Sequence, residues 1–171
     1  MIKKGKIMSK LILCCGKIAS GKTHFCSQVK NKKNYFVFNT DEWMIHFYGE
    51  SPDCSVFHER LEKCTDLMYK IASDLLYKDI NVVLDFGFWT AKERKKCLDY
   101  FKKKNPNAKR IILYFPIDDI KQRSHLDKRQ KKMPEGSFYF SEEKLLFFNE
   151  KFETPTEKEL ILIDDFAKIL V

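Results

Sequence analysis

Five short apolar runs punctuate an otherwise polar chain: Leu11–Cys15, Tyr35–Phe38, Asn81–Asp85, Arg110–Phe115 and Leu160–Asp164. Each has the length and the aliphatic or aromatic content of a strand buried on both faces. Between them the period lengthens. Leu61, Cys64, Leu67, Met68, Ile71 and Leu75 recur at helical spacing and predict a long helix over about 56–77. Shorter helices are predicted over about 22–29, 41–48, 90–103, 118–129 and 141–152, with Asn39 or Thr40 capping the second and Thr90 the third. Gly49 to Asp53 reads as a turn, and the Pro134/Gly136 stretch as a loop. Strands alternating with helices predict an α/β fold, a parallel sheet of five strands covered on both faces. No repeat, linker or low-complexity segment interrupts the pattern, so 1–171 reads as one domain.

The first strand runs straight into Gly16-Lys17-Ile18-Ala19-Ser20-Gly21-Lys22-Thr23, a complete G-x-x-x-x-G-K-[ST] phosphate loop, with a helix behind it from His24 onward. Gly16 and Gly21 permit backbone paths that a side chain would block. The amides from Gly16 to His24 can then converge on phosphate oxygens. Lys22 is placed to reach the terminal phosphates, and the Thr23 hydroxyl to ligate Mg²⁺. The expected cofactors are ATP and Mg²⁺.

In a parallel sheet, ligands bind at the carboxyl ends of the strands. That rule brings Asp41, Asp85 and the segment after Phe115 to the phosphate loop. Asp85 ends an apolar strand, which suits a metal-side acid; a helix-capping or turn aspartate would look the same. Asp41 could take a proton from an acceptor hydroxyl, or simply face its helix dipole. Arg123 and Arg129 stand before or within a lid region of about 123–140 and could stabilise charge on a transferred phosphoryl group; solvated helix arginines fit equally. Trp43, Phe86, Trp89 and Arg94 are the candidate acceptor contacts, the aromatics as a wall or as core beneath a loop.

Composition adds limits. No apolar run approaches the ~20 residues needed to span a bilayer, and the basic start of the chain has no long apolar segment behind it, so neither a membrane span nor a signal peptide is expected. The six cysteines form no C-x-x-C pair, and the four histidines are scattered, so a reduced, cytoplasmic protein without a zinc site is expected. Net charge is +8 but uneven: residues 1–40 hold nine lysines and no acid, while 92–132 hold 15 basic and 5 acidic residues. Nucleic acid would explain such blocks, as would solvated lysine-rich faces. Asn31-Lys32-Lys33-Asn34 lacks the final aspartate of a guanine-reading motif.

The loop at 16–23, Asp41-Glu42-Trp43-Met44, Val82 to Trp89 with Arg94, Arg123 and Arg129, and Phe152-Glu153-x-Pro155 together resemble a bacterial family of small P-loop proteins described as kinases or AAA-type ATP-binding proteins. The resemblance covers about residues 10–160. The family is similar to the 5′-kinase domain of phage polynucleotide kinase, to zeta toxins and to chloramphenicol phosphotransferase. It implies a five-stranded, kinase-type P-loop NTPase core, a three-layer sandwich with the Asp85 strand beside the phosphate-loop strand. It also implies that Asp41 matches a general base and that Arg123 and Arg129 match lid arginines. Polynucleotide 5′-kinases carry Asp-x-x-Arg at the base motif, where the arginine engages the acceptor phosphate; here Met44 stands in its place. The expected activity is therefore ATP-dependent phosphoryl transfer to a hydroxyl of a small molecule. Polynucleotide 5′-hydroxyl phosphorylation and ATP hydrolysis without an acceptor are the alternatives. The acceptor, the oligomeric state and the adenine contacts stay open.

Overall fold

The computed structural model describes residues 8–49, 55–132, 139 and 141–159. Four strands form one sheet: β1 (Lys10–Cys15), β2 (Tyr35–Asn39), β3 (Asn81–Gly87) and β4 (Lys109–Tyr114), in the order β2-β3-β1-β4. All pairings are parallel, with Ile12 opposite both Val83 and Ile111, and β3 lies directly beside β1. The expected fifth strand, Leu160–Asp164, falls outside the described residues.

Alternation along the strands sends side chains to two faces. Leu11, Leu13 and Cys15 point with Phe38, Leu84 and Ile112 into the larger core. There they meet α3 (Phe57–Tyr77) through Met68, Tyr69, Ala72 and Leu76, and α4 (Ala91–Lys104) through Cys97 and Phe101. Ile12 and Cys14 point the other way, with Val83, Ile111 and Leu113, against Phe25, Cys26 and Val29 of α1 (Lys22–Lys30). The result is three layers, helix–sheet–helix. Full burial of such aliphatic and aromatic side chains is worth about 1.5–3 kcal/mol each, so the sheet is a stiff platform for its carboxyl edge.

Three more helices lie at that edge. Helix α2 (Thr40–Tyr48) begins directly at the end of β2, and Asn39 caps it by accepting from the Glu42 amide at 2.9 Å. Helices α5 (Asp119–Lys132) and α6 (Glu142–Lys151) meet in a small third cluster of Ile18, Leu126 and Leu145. The expected lid at 123–140 thus begins inside α5; residues 133–138 and 140 lie outside the described residues. Helix α4 starts on a capping box, with Thr90 accepting from the Glu93 amide and Glu93 from the Thr90 amide.

Candidate active site

The carboxyl ends of β1, β2 and β3 converge on one crevice. Gly16 leaves β1 so close to Phe115 that a Cβ there would lie 2.8 Å from the Phe115 carbonyl oxygen. Gly21, at φ 102°, closes the loop and caps α1. Between them Ala19 is left-handed, at φ 59°. The Lys22 ammonium lies across this loop, donating to the Gly16 and Lys17 carbonyls at 2.8 Å each. Burial pulls its pKa below the ordinary lysine value, against the attraction of Asp85.

Asp85 is buried, and strand register explains its partners. Asn39 stands opposite it in the β2–β3 ladder. The Asn39 amide nitrogen donates to Asp85 Oδ2 at 3.0 Å, and the Thr23 hydroxyl donates to the same oxygen at 3.4 Å. Burial raises the Asp85 pKa; Lys22, Asn39 and Thr23 oppose that rise. Among the described residues there is no group of three or more His, Cys, Asp or Glu side chains that could hold a metal ion. Two hard oxygens, Thr23 Oγ1 and Asp85 Oδ2, are nonetheless the donor set that suits Mg²⁺ when phosphates complete its coordination.

Asp41, in the first turn of α2, is the second acid of the crevice. Its pKa is pushed up to about 6, first by burial and then by the Asp85 charge, against the pull of Arg129 and Lys22. Asp41 thus feels the charges of Asp85, Lys22 and Arg129. Arg123 lies elsewhere on α5, exposed, paired with Glu142 of α6 at 2.7 Å. His24 is exposed on α1, within 3.2 Å of Gln28.

The aromatic candidate acceptor contacts pack against other rings, none of them fully buried. Trp43 sits about 200° around α2 from Asp41, with its ring against Phe38 at 5.8 Å and Phe47 at 6.0 Å. With Glu42, His46 and Phe47 it lines an open depression of about 370 Å³. Phe86 stacks between Tyr69 and Phe88. Trp89 packs on Phe148 and Phe152. Met44 is buried under α2, with 1% of its surface exposed.

Arg94, also 1% exposed, is enclosed by partners from other segments. Its guanidinium grips Glu159 through Nε at 2.8 Å and Nη2 at 3.3 Å, and Nη1 donates to the Phe88 and Glu153 carbonyls. Its donors thus tie the 153–159 segment to the turn after β3, where Gly87 and Phe88 both take positive φ. Asn39 and Gln122, by contrast, touch the crevice machinery without having been marked by any motif. Asn39 was readable as a cap, and its second role follows once β2 and β3 are in register. Nothing in the sequence around Gln122 signals its contact with Ile18.

A family model described as an AAA domain matches residues 11–155. No curated protein matches the chain. Solved structures share its fold at low identity. One is from a Pnkp1/Rnl/Hen1 RNA repair complex, 20% identical with a TM-score of 0.61, covering 98% of this chain and 56% of its own. Another is a Chloroflexus aurantiacus protein whose kinase assignment is itself provisional, 14% identical with a TM-score of 0.70, covering 95% of each chain. A third is Chaetomium thermophilum Kti12 in complex with ADP-AlF3, 16% identical with a TM-score of 0.64, covering 92% of each chain. The chain spans about half the length of the RNA repair proteins it matches, 56% and 45% in two structures.

Proposed function

We propose, from the premise that this chain belongs to the AAA domain family of P-loop proteins, that it is an ATP-dependent kinase acting on a hydroxyl group. The acceptor in this reading is a small molecule. The observation that carries it is Asp41: a half-buried carboxylate, shifted to about 6, at the strand end that faces the phosphate loop. An acid that only faced its helix dipole would have its ionised form favoured and its pKa lowered, not raised. A general base needs this placement and a pKa near the working pH.

When bound, ATP with Mg²⁺ supplies the phosphoryl group and the bulk of the charge neutralisation. The chain's residues do the rest. The loop amides hold the phosphates, and Lys22 exchanges its two carbonyl partners for phosphate oxygens. Thr23 and Asp85 would hold Mg²⁺, with Asn39 keeping Asp85 oriented. Asp41 takes the proton from the acceptor hydroxyl, and Arg129 meets negative charge from the α5 side. Arg123, paired with Glu142 at the surface, joins only if α5 and α6 shift.

A second reading, polynucleotide 5′-hydroxyl phosphorylation, is supported by the likeness to a protein of an RNA repair complex. Met44, buried in the core, offers no contact to an acceptor phosphate. The test is to incubate the protein with γ-labelled ATP and separate pools of cell metabolites, RNA and oligonucleotides. Label should enter the metabolite pool, and Lys22→Ala should abolish the transfer in a protein that still folds. Unchanged turnover in a folded Lys22→Ala protein would refute a kinase.

A further inference from the structure

Helix α5 touches the phosphate loop in a regular pattern that the chemistry above does not use. Lys17 pairs with Asp119 at 3.2 Å. The next residue, Ile18, gives its carbonyl to the Gln122 side-chain amide at 3.0 Å. The next, Ala19, has its carbonyl 3.1 Å from His125 Nδ1. Three successive loop residues thus meet three side chains spaced i, i+3 and i+6, which lie above one another on one helix face.

Gln122 is the centre of this splint. It is buried to 1% exposure, beside the apolar cluster of Ile18, Leu126 and Leu145. Its amide nitrogen donates to the Ile18 carbonyl and to Asn149 Oδ1, and its oxygen accepts from Asn149 Nδ2 at 2.8 Å. Asn149 belongs to α6, so one reciprocal amide pair joins the loop to both helices. Lys22 holds the Gly16 and Lys17 carbonyls and Ser20 donates its amide to that of Lys17 at 3.3 Å, whereas the carbonyls of Ile18 and of Ala19, which sits at φ 59° without being glycine, are met from α5.

We infer that Gln122, seconded by His125, is a positioning residue for the phosphate loop, and that the Gln122–Asn149 pair couples α5 and α6 to phosphate binding. The geometry gives the reason. A trans peptide points its N–H opposite to its C=O. Drawing the Ile18 carbonyl outward to Gln122 turns the Ala19 N–H inward, toward the place where phosphate oxygens bind. The same contact holds Ala19 in a conformation it would otherwise leave. Because α5 also carries Arg129, whose charge acts on Asp41, one rigid helix registers the loop against the acid. The inference rests on the reading of residues 16–23 as a phosphate loop.

The test compares Gln122→Met, which keeps volume but removes the hydrogen bonds, with His125→Ala, whose side chain is exposed and whose loss leaves the core intact. The probes are inorganic tripolyphosphate and ATP with Mg²⁺, measured by calorimetry well below each variant's melting temperature. Gln122→Met should weaken both ligands by about tenfold or more, as misplaced amides lose their alignment. His125→Ala should weaken them about threefold, the worth of one partly exposed hydrogen bond. A residue that merely supports the fold would lower the melting temperature and leave tripolyphosphate affinity alone, and that result overturns the inference. If Gln122→Met does not fold, His125→Ala decides: unchanged affinity there overturns it as well. A wild-type protein that binds neither probe would overturn the proposed function along with this inference, whereas normal wild-type binding with unaffected variants would sink this inference alone.

Discussion

If Asp41 is the base proposed above, its environment bears on both stability and activity. Its pKa is raised to about 6 because burial and the Asp85 charge disfavour its ionised form. The native state therefore holds the Asp41 proton more tightly than the unfolded chain does. The stability linked to that proton is full below about pH 4, the ordinary carboxylate value, and is lost as pH rises to about 6. Asp41→Asn should accordingly raise the melting temperature at pH 7, by an amount worth at most about 3 kcal/mol, and change little at pH 4. The same variant should abolish phosphoryl transfer, since the amide accepts no proton. In the wild type, kcat/KM should rise with pH through about 6, because the base must be ionised. A flat profile from pH 5 to 7, or an Asp41→Asn protein that still transfers phosphate, would remove Asp41 from the role of base. Asp85→Asn should behave differently. Asn39 and Thr23 already hold that side chain, so its loss should appear as a raised Mg²⁺ requirement before any loss of nucleotide contact.

At the scale of elements, the turn after β3 and the segment 153–159 form a unit pinned by Arg94. Arg94→Ala would leave Glu159 without its partner and open a buried gap, costing about 3 kcal/mol, near the lower end for breaking a buried pair because Glu159 is partly exposed. Thermal unfolding should report that loss, while Glu159→Gln, which retains a hydrogen-bond acceptor for the guanidinium, should cost distinctly less. Equal melting temperatures for wild type and Arg94→Ala would contradict the pinning role. Elements such as these were largely legible beforehand. The apolar runs and the helical period place every described strand and helix to within a few residues, because burial on both faces of a parallel sheet leaves an unmistakable run. Contacts between elements were not legible. Arg94 looked like a candidate for the acceptor because its proximity to Asp85 in sequence says nothing of Glu159, 65 residues on. The α5 face that meets the loop carries Asp119, Gln122 and His125, polar residues with no hydrophobic period to mark them, and only the packed loop turns their spacing into a pattern. Asp41 and Asp85 could be read ahead because strand ends, unlike helix faces, converge by topology alone.

At the scale of the whole molecule, the fold divides what the sequence presents as one basic block. Lys102, Lys103 and Lys104 are exposed at the end of α4, just before β4 begins, at the amino edge of the sheet and away from the phosphate loop. Lys10, at the start of β1, lies at that edge too, close enough to Lys109 for that charge to add to the effect of burial in lowering its pKa. Lys128, Lys131 and Lys132 are exposed on α5 instead, on the helix that meets the loop. Part of the charge around the loop is already balanced, Lys17 by Asp119 and Arg123 by Glu142. Any polyanion that two separate patches of this kind hold would be held by charge, without being read. Any binding of DNA or RNA should therefore be without sequence preference, with log affinity falling linearly with log salt. Replacing Lys102, Lys103 and Lys104 by Glu should reduce that slope while leaving phosphoryl transfer to a small hydroxyl compound intact, because the patch is remote from Asp41. The decisive comparison is label transfer to a 5′-hydroxyl oligonucleotide near physiological salt. For a small-molecule kinase it should be slow and unsaturable. Efficient, saturable transfer that survives the α4 replacements and fails when Lys128, Lys131 and Lys132 are replaced would make the α5 patch an acceptor-strand track and the protein a polynucleotide kinase.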